Sequence, residues 1–360
     1  MVKKAKVSEK RSAARDRVII TLRQQIADGG LAPGTRLPIR SSLENRFKVS
    51  HVTMQRAIDT LMRDGFIQSR GKLGTFVTES PPFLHNYALA FPFHPGSTHW
   101  NKFWTALAHE AVVLQQSGDL KIPLYYNVLE GDPSSGHYQA LVRDIREHRL
   151  GGIIFSSSPH LLEHTPLLDH PGIPRVATAG NPQRFPMMWT VGLDANSFVN
   201  KAFDYLAGRG RKRIAILSVP GLMPHANLPD YFAASAEAHG LTLRECWRQY
   251  VAQSAPKSSQ NIIQLLLDGP AGTRPDAVLI ADDNLLESAT AGFLKAGVRL
   301  GEDIDVVAHA NFPIAGSSGL PIKMLGYDAR DVLARCVEAI DRQRAGEREQ
   351  QHLKVEAVWG

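Results

Sequence analysis

The sequence predicts an α/β protein in which a small helical domain with a two-stranded wing precedes a larger domain of parallel sheets flanked by helices. Three observations predict this fold class. Residues 37–77 read as two short helices followed by a hairpin, strands alternate with helices from Tyr87 onward, and basic residues are concentrated near the N-terminus. At 360 residues the chain is long enough for two or three packed units.

The helical domain is predicted over residues 12–78, after a basic arm at residues 1–11. Residues 12–28 read as one helix, with an inner face formed by Val18, Ile19, Leu22 and Ile26. A second, short helix is expected to start near Ser41 and Ser42. Ser50 should cap a third helix, whose apolar stripe at i, i+4, i+7 and i+8 consists of Met54, Ile58, Leu61 and Met62.

A wing is predicted after this third helix. Residues 66–70 and 75–77 are β-prone, and Gly71 and Gly74 between them supply the positive φ angles of a tight hairpin. Such a unit presents a polar helix face and a basic hairpin tip. These are features that fit the grooves and phosphates of duplex DNA.

Charge is unevenly distributed along the chain. The formal net charge is +6, yet residues 1–80 hold 16 Lys and Arg against 7 Asp and Glu, so the remainder is slightly acidic. This indicates a polyanion-binding unit at one end. The two cysteines, Cys246 and Cys336, form no CxxC pair. With no signal peptide and no apolar run of membrane-spanning length, we expect a cytoplasmic protein without a membrane partner.

From Tyr87 onward, buried strands alternate with amphipathic helices, which is typical of a parallel sheet covered on both faces. The pattern runs through two cycles and predicts two similar halves with a cleft between them. Residues 79–86, which include Pro81 and Pro82, break the periodicity and read as a linker.

The N-terminal domain resembles the GntR family of winged helix-turn-helix proteins. The match rests on the Gly30 to Pro38 connection, Val49-Ser50-x-x-Thr53, Asp64-Gly65-Phe66-Ile67 and Gly74-Thr75-Phe76-Val77. Many family members have an arginine just after the residue that caps the recognition helix, and this chain has His51 there. They also have an arginine three residues after the Leu-Pro pair, where this chain has Ser41, with Arg40 one place earlier. From the resemblance and the side-chain chemistry, the expected DNA contacts are Arg40, Ser41, Ser50, His51, Thr53, Gln55, Arg56, Lys72, Gly74 and Thr75.

Residues 87–360 resemble the effector domain of the LacI/GalR family, which has a periplasmic-binding-protein-like fold. The resemblance is carried by the order and spacing of residues 149–154, 172–174, 210–215, 275–283 and 301–307. It implies one lobe at about 87–195 and 315–345, and a second at about 196–314 and 346–360. It also implies a small ligand between the lobes, touched by loops at the carboxyl ends of the strands.

By position, the expected ligand contacts are polar or aromatic residues that follow strands. Carboxylates pair with sugar hydroxyls and aromatic rings stack on sugar rings. The candidates are Phe93, His94, Trp100, Phe103, Ser156, Ser157, Asp282, Asp283 and Asn311. The family pattern fails at three places. Ala179 or Gly180 and Ala310 or Asn311 stand where acidic residues are expected, and residues 227–230 lack an expected arginine. The ligand is therefore a sugar derivative or some other metabolite.

The sequence as a whole predicts a transcriptional regulator, most simply a repressor, that is a homodimer on double-stranded operator DNA and responds to a small-molecule effector. No cofactor and no catalysis are expected. As a hypothesis, the ligand changes the angle between the lobes and thereby the spacing of the paired winged helices, through the linker at Pro81-Pro82.

Two alternatives remain open at this point. The sensor domain could be vestigial, or the winged helix could be fused to an aminotransferase-like enzyme that binds pyridoxal phosphate. No lysine of the C-terminal region stands in a recognisable Schiff-base setting. His160-Leu161-Leu162-Glu163-His164 has the HxxEH spacing of a class of zinc peptidases, but it lies within the effector-domain pattern.

Overall fold

The computed structural model describes residues 2–118, 120–178, 188–220, 228–252, 254–314, 319–349 and 351–360, without the side chains of residues 2–11, 117 and 228–230. By its contacts the chain divides into two compact units. The first comprises Met1–Ala90, Leu114–Ile154 and His160–Arg175, and the second comprises Phe91–Val113, Phe155–Pro159 and Val176–Gly360.

The N-terminal domain has the predicted order of helices and strands. Its elements are α1 (Val2–Ala27), α2 (Arg40–Phe47), α3 (His51–Arg63), β1 (Ile67–Ser69) and β2 (Thr75–Val77). The helix expected from residue 12 begins at Val2, so the segment expected as an arm is helical. Helix α2 begins at Arg40, and Ile39 rather than a serine precedes it, without a capping side chain.

The predicted apolar faces form the core of this domain. Helix α1 contributes Val18, Ile19, Leu22 and Ile26, and α3 contributes Met54, Ile58 and Leu61, all of which are buried. Met62, placed on the same stripe, is only half-buried. Burial of these side chains drives the three helices together, because each helix has only one apolar face.

Strands β1 and β2 pair antiparallel with Ile67 opposite Val77. Between them lies a single 3₁₀ turn, Gly71–Leu73. Gly71 and Gly74 have φ angles of +59° and +112°, as predicted for the tight connection.

The segment expected as an interdomain linker packs against the N-terminal domain. Pro82–Leu84 form a 3₁₀ turn, and Pro81 and Pro82 are buried. Phe83 lies against the apolar core of the N-terminal domain. Residues 81–84 are therefore not an extended spacer.

The remainder of the chain alternates strands and helices. Up to residue 193 the elements are β3 (Tyr87–Ala90), α4 (Lys102–Ser117), β4 (Leu124–Tyr125), α5 (Gly136–Arg146), β5 (Gly152–Phe155), α6 (Pro166–Asp169), β6 (Arg175–Ala177) and β7 (Trp189–Leu193). They continue with α7 (Ala195–Gly208), β8 (Ile214–Ser218), α8 (Leu228–Ala238), β9 (Arg248–Tyr250), α9 (Ser258–Leu267), β10 (Ala277–Ile280), α10 (Leu286–Ala296), β11 (Asp305–Phe312), β12 (Lys323–Asp328), α11 (Ala329–Arg344), β13 (His352–Val355) and β14 (Val358–Trp359).

Within the first unit, β3 pairs parallel with β4. Within the second unit, β7 pairs parallel with β6 and with β13. The second unit also holds a sheet of order β14-β12-β11-β10-β8-β9, which is parallel except for the antiparallel end strand β14. Ile280 of β10 lies beside Ala308 of β11, so the residues that follow β10 lie beside the C-terminal end of β11.

Strands β12 to β14 and helix α11 were not predicted individually. Helix α11 is amphipathic and buries Val332, Leu333, Cys336 and Ile340. The burial pattern of β13 and β14 is mostly exposed, so these strands lack the apolar run by which the others were recognised.

Candidate functional sites

The N-terminus of α3 is shaped by a cap formed by Ser50. This residue is extended, with φ −70° and ψ 157°, and its Oγ accepts a hydrogen bond from the Thr53 amide at 3.4 Å. The hydroxyls of Ser50 and Thr53 are 3.0 Å apart. Thr53 is 8% exposed and faces the core beside Met54. Two of the residues expected to contact DNA therefore interact with each other in defining the start of the helix.

The exposed face of α3 carries the other candidates. His51 Nδ1 lies 2.8 Å from Glu44 Oε1, and Gln55 Nε2 donates to Asp59 Oδ1 at 2.6 Å. Arg56 is exposed. His51 Nδ1 and Gln55 Nε2 thus have partners within the domain, and Arg56 lies on the outer surface.

Val52 was missed by the sequence reasoning. It is 59% exposed on the first turn of α3, and it lies one turn before Arg56 on the same face. The available signal was its position off the apolar stripe of the helix. A solvent-exposed valine there can contact the methyl group of thymine, which only the major groove displays.

The wing presents basic residues around its turn. Lys72 is exposed within the 3₁₀ turn, and Thr75 pairs with Ser69 at the ends of the two strands. A Cβ at Gly74 would lie 2.9 Å from Arg36 Nε, so Arg36 packs against this glycine. Arg70 lies 4.7 Å from the ring centroid of Phe76.

Arg40 and Ser41 begin α2, next to Ile39, which is 62% exposed. Arg40 is half-buried and Ser41 is exposed. The candidates thus lie at the start of α2, along α3 and at the wing turn, within a domain that is strongly basic. Side chains at the start of α2 and at the wing turn can contact phosphates, and those on α3 can contact bases.

A second cluster of candidates surrounds Asp283, which is 4% exposed and follows β10. Asn311 Nδ2, near the end of β11, donates to Asp283 Oδ2 at 2.9 Å. His309 Nδ1 lies 3.8 Å from Asp283 Oδ1. Lys102 Nζ, at the start of α4, donates to the Asp283 carbonyl oxygen at 2.6 Å. Parallel pairing of β10 with β11 thus brings Asp283 and Asn311 together. Asn311 was expected to follow its strand, but it lies within β11.

The two adjacent carboxyls have opposite pKa shifts. Burial raises the pKa of Asp282, although hydrogen bonds from the amide and side chain of Asn284 oppose that effect. Burial also acts to raise the pKa of Asp283, but interactions with His309, Asn311 and Lys102 outweigh it, and the net shift is downward. Asp283 is therefore the carboxyl that the surroundings hold ionised.

Several buried polar atoms near strand ends have no hydrogen-bond partner among the described residues. Asn311 Oδ1 is one of them, on a residue that is 2% exposed. Others are Ser156 Oγ, which follows β5, and Thr178 Oγ1, which follows β6. Unpaired buried polar groups are costly, about 1–3 kcal/mol each, unless a ligand or water satisfies them. Their position at the carboxyl ends of parallel strands is where open α/β sheets bind ligands.

The aromatic candidates form a cluster of their own. The ring centroids of Trp100 and Trp104 are 5.7 Å apart, and Phe93 lies 6.0 Å from Trp104. Trp104 Nε1 donates to the backbone oxygen of Ser156 at 3.1 Å. Lys102, His309 and Trp104 were missed as site residues. His94 is exposed, and Phe103 and Ser157 are half-buried, and none of the three is hydrogen-bonded to Asp283 or Asn311 among the described residues.

Some sequence signals are explained differently by the structure. In the HxxEH segment, His160 lies in a 3₁₀ turn and His164 has a φ of +63°, so the two histidines do not share one helical face. Within the described ranges there is no group of metal-ligating side chains, and no helix is long and apolar enough to cross a membrane. Ala179, Gly180 and Asn227 lie outside the described residues.

Comparison with known proteins identifies both domains. The model of the gntR family of bacterial regulatory proteins matches residues 14–77, and that of the periplasmic binding protein-like domain matches residues 203–358. This chain combines a GntR-type winged helix with a periplasmic-binding-protein-like domain. The mannosyl-D-glycerate transport/metabolism system repressor MngR of Escherichia coli (strain K12) is 41% identical to this chain over 58 residues. That match covers 16% of this chain and 24% of the relative.

Solved structures share the fold of the periplasmic-binding-protein-like domain. A LacI family transcriptional regulator from Lactobacillus casei, with bound sucrose, has a TM-score of 0.54 at 17% identity, covering 77% of this chain and 98% of the other. A periplasmic binding ribose operon repressor protein from Lactobacillus acidophilus has a TM-score of 0.55 at 11% identity, covering 76% and 96%. At these identities the comparison establishes the fold alone.

Proposed function

We propose that the protein is a ligand-responsive transcriptional regulator, acting as a repressor. The GntR-type winged helix binds operator DNA, and the periplasmic-binding-protein-like domain binds a small metabolite that changes this affinity. As a homodimer, the protein would place two copies of α3 on the half-sites of a palindromic operator.

The observation that carries the sensing function is Asn311. Its amide nitrogen is held by Asp283, and its Oδ1 is buried without a partner in the described part of the chain. An oriented acceptor beside an ionised carboxylate suits a ligand rich in hydroxyl groups. A sugar or a related polyhydroxylated metabolite has this chemistry, and similar proteins with a sucrose ligand or a ribose-operon name support that class.

The DNA-binding function is supported by the capped, solvent-exposed helix α3 and the excess of basic residues on its domain. Arg56 is suited to guanine or phosphate, Gln55 to adenine, and Lys72 and Thr75 to phosphate or the minor groove. Arg40, Ser41 and His51 add contacts at the starts of α2 and α3. Ser50 and Thr53 act mainly through the cap, and Gly74 through the backbone of the wing.

The test is a fluorescence-anisotropy titration of the full chain on its own upstream intergenic DNA, at fixed salt. It is run with and without monosaccharides, sugar acids, polyols and amines. We expect binding that is tighter than to random DNA and that changes by about tenfold with one hydroxylated compound, a coupling of about 1.4 kcal/mol.

Asp283→Asn is the matched variant for the sensor. It should keep basal operator affinity and lose the response to the compound. Tight operator binding that no compound alters in the parent protein would favour a vestigial sensor, and binding equal to that of random DNA would refute the regulator. A response to a cationic amine alone would contradict the sugar class.

A further inference from the structure

Arg23 is a buried cation at the junction between the GntR-type winged helix and the residues that follow it. Its side chain is 1% exposed, on the inner side of α1. The centre of its guanidinium lies 5.0 Å from the ring centroid of Phe66. Fully buried arginines are rare in proteins unless carboxylates pair with them.

Two carboxylates pair with Arg23, and both also pair with Arg149. Arg23 donates to Asp64 Oδ2 and, at 2.8 Å, to Glu147 Oε2. Arg149 donates to the same Asp64 oxygen at 3.1 Å, and its Nε lies 2.8 Å from the same Glu147 oxygen. Arg23, Asp64, Arg149 and Glu147 thus form a closed ring of alternating charge, here named the charge ring.

The charge ring joins parts of the chain that are far apart in sequence. Arg23 belongs to α1, and Asp64 is the C-cap of α3, so these two come from the winged helix. Glu147 and Arg149 lie between α5 and β5, a segment we name the α5–β5 corner, residues 147–151. In the same place His148 Nε2 lies 3.1 Å from Gln24 Oε1, and Asn86 Nδ2 donates to the Arg149 carbonyl oxygen at 3.1 Å.

Each part contributes one positive and one negative charge, and two of the four ion pairs cross between the parts: Arg23 with Glu147 and Arg149 with Asp64. Separation of the parts breaks both of these crossing pairs and removes Glu147 from the buried Arg23. Removal of one member leaves an uncompensated charge at a site of low solvent access, which is strongly unfavourable. Exposed pairs differ, because water replaces the missing partner at little cost. The arrangement therefore favours one geometry of the winged helix on the α5–β5 corner over other orientations.

We propose that the charge ring docks the winged helix rigidly on the α5–β5 corner, and that Arg23 is the residue that positions it. Because Asp64 caps the C-terminus of α3, the ring holds the recognition helix itself. A displacement of the α5–β5 corner then reorients α3 directly. This route bypasses residues 79–86, the linker through which the sequence pattern predicts the ligand signal to pass. The effect on DNA rests on the proposed function, whereas the docking does not.

The docking is tested by the distance distribution between two spin labels on one protomer, measured by pulsed electron paramagnetic resonance on the full chain without DNA. The labelled chain is mixed with an excess of unlabelled chain, so that a dimer carries labels on one protomer. Labels are placed at Ser69 in the wing and at Gln139 in α5, both of which are exposed. The background carries Cys246→Ser, because Cys246 is exposed, whereas Cys336 is buried and stays unlabelled. We expect one narrow distribution, with a width close to that of the label side chains.

Two variants on the α5–β5 corner leave the winged-helix core intact: Glu147→Ala and Arg149→Met. Either should at least double the width of the distribution, with an unchanged circular dichroism spectrum. Glu79→Ala is the matched control, since it breaks the exposed pair of Arg70 and Glu79, 3.0 Å apart, within the winged helix. A broad distribution in the parent, or a narrow one in both variants, would overturn the docking.

The consequence for DNA is tested with paired half-sites whose separation is changed one base pair at a time. In the parent, affinity should fall by about tenfold within two base pairs of the optimum, because docked helices have a fixed spacing. Glu147→Ala should flatten this profile and leave single half-site affinity unchanged. An unaltered profile, despite a broadened label distance, would refute transmission through the ring. Absence of operator binding in the parent would count against the proposed function alone.

Discussion

Val52 illustrates how a single side chain can matter through its exposure. The apolar residues of α3 otherwise pack into the core, and this valine lies on the outer face with Arg56. A methyl-bearing side chain at the start of a recognition helix discriminates thymine from the other bases by apolar contact. Its role can be separated from hydrogen bonding because uracil differs from thymine only by that methyl group.

We predict that Val52→Ala weakens operator binding by about fivefold, from the loss of about 1 kcal/mol of apolar contact. Replacing one particular thymine of the operator by uracil should weaken the parent similarly and leave the variant unaffected. Anisotropy titrations of the four combinations give the coupling energy. Val112→Ala, at a 41% exposed position of α4, is the control and should bind like the parent. If Val52→Ala and the uracil replacement had additive effects on affinity at every thymine, Val52 would not contact a thymine methyl group.

The opposite pKa shifts of the adjacent carboxyls Asp282 and Asp283 lead to a second prediction about single residues. The folded-state pKa of Asp283 lies below its ordinary value of 3.8, so its stabilising contribution is present above that pH and is lost as pH falls through the folded pKa. The folded-state pKa of Asp282 is raised, so its ionisation lowers stability as the pH rises from 3.8 to that raised value, and the full penalty is present above it. Replacement of each carboxyl by an amide should therefore change the free energy of unfolding in opposite directions.

At pH 7, Asp283→Asn should lower the free energy of unfolding by about 2 kcal/mol, since a charged hydrogen-bond acceptor is removed. Asp282→Asn should raise it, because Oδ1 remains an acceptor for Asn284 while the buried charge disappears. Both differences should shrink as the pH is lowered: the Asp282 difference as the pH falls from the raised pKa to 3.8, and the Asp283 difference as it falls from 3.8 through the lowered pKa. Thermal unfolding across this pH range measures both changes in the free energy of unfolding. If both substitutions changed it in the same direction at pH 7, the opposite pKa shifts of the two carboxyls would be contradicted.

At the scale of elements, the cap on α3 separates structural from DNA-contacting serines. We predict that Ser50→Ala lowers the stability of the winged helix by about 1 kcal/mol, because the Thr53 amide loses its acceptor. Ser50→Asp should restore it. Ser41→Ala is the matched control, since Ser41 lies inside α2 and caps nothing. Hydrogen exchange at the amides of α3 reports the change, and equal protection in the two alanine variants would rule out the cap.

The sequence predicted the elements whose determinants are local. The apolar stripe of α3, the cap at Ser50 and the positive φ angles at Gly71 and Gly74 follow from spacing and residue type within a few positions. Strands β13 and β14 could not be predicted in this way, because they are strands through pairing with β7 and β12 and not through an apolar run of their own. Local patterns carry little information about such partners.

The candidate sites show the same division. Asp283 and Asn311 became candidates because each was expected to follow a strand with a recognisable apolar pattern, and their ligand contacts stay a prediction. Lys102 was not a candidate, because its partner Asp283 is 181 residues away in the sequence. Arg23 was missed for a similar reason. A basic residue on an amphipathic helix is normally assigned to the solvent face, and only the folded chain reveals Glu147 beside it, 124 residues away.

At the scale of the whole molecule, charge is divided between a basic N-terminal domain and a slightly acidic remainder. The basic cluster at residues 209–213 could suggest a second polyanion site, but its arginines are engaged within the fold. Arg209 and Arg211 pair with Asp305, and Arg213 pairs with Asp276. Lys212 lies between Arg211 and Arg213 and is exposed. This arrangement supports DNA binding at the winged helix alone.

The salt dependence of operator affinity tests whether DNA binds at the winged helix alone. Removing one phosphate contact should reduce the slope of log affinity against log salt concentration by about 0.9, because fewer counterions are released. We predict this reduction for Lys72→Ala at the wing turn and no change for Lys212→Ala, although both remove one exposed lysine. Val52→Ala should weaken binding without altering the slope, since its contact is apolar. If Lys212→Ala lowered the slope as much as Lys72→Ala, DNA would contact the body of the protein as well. The charge asymmetry would then not mark a single binding end.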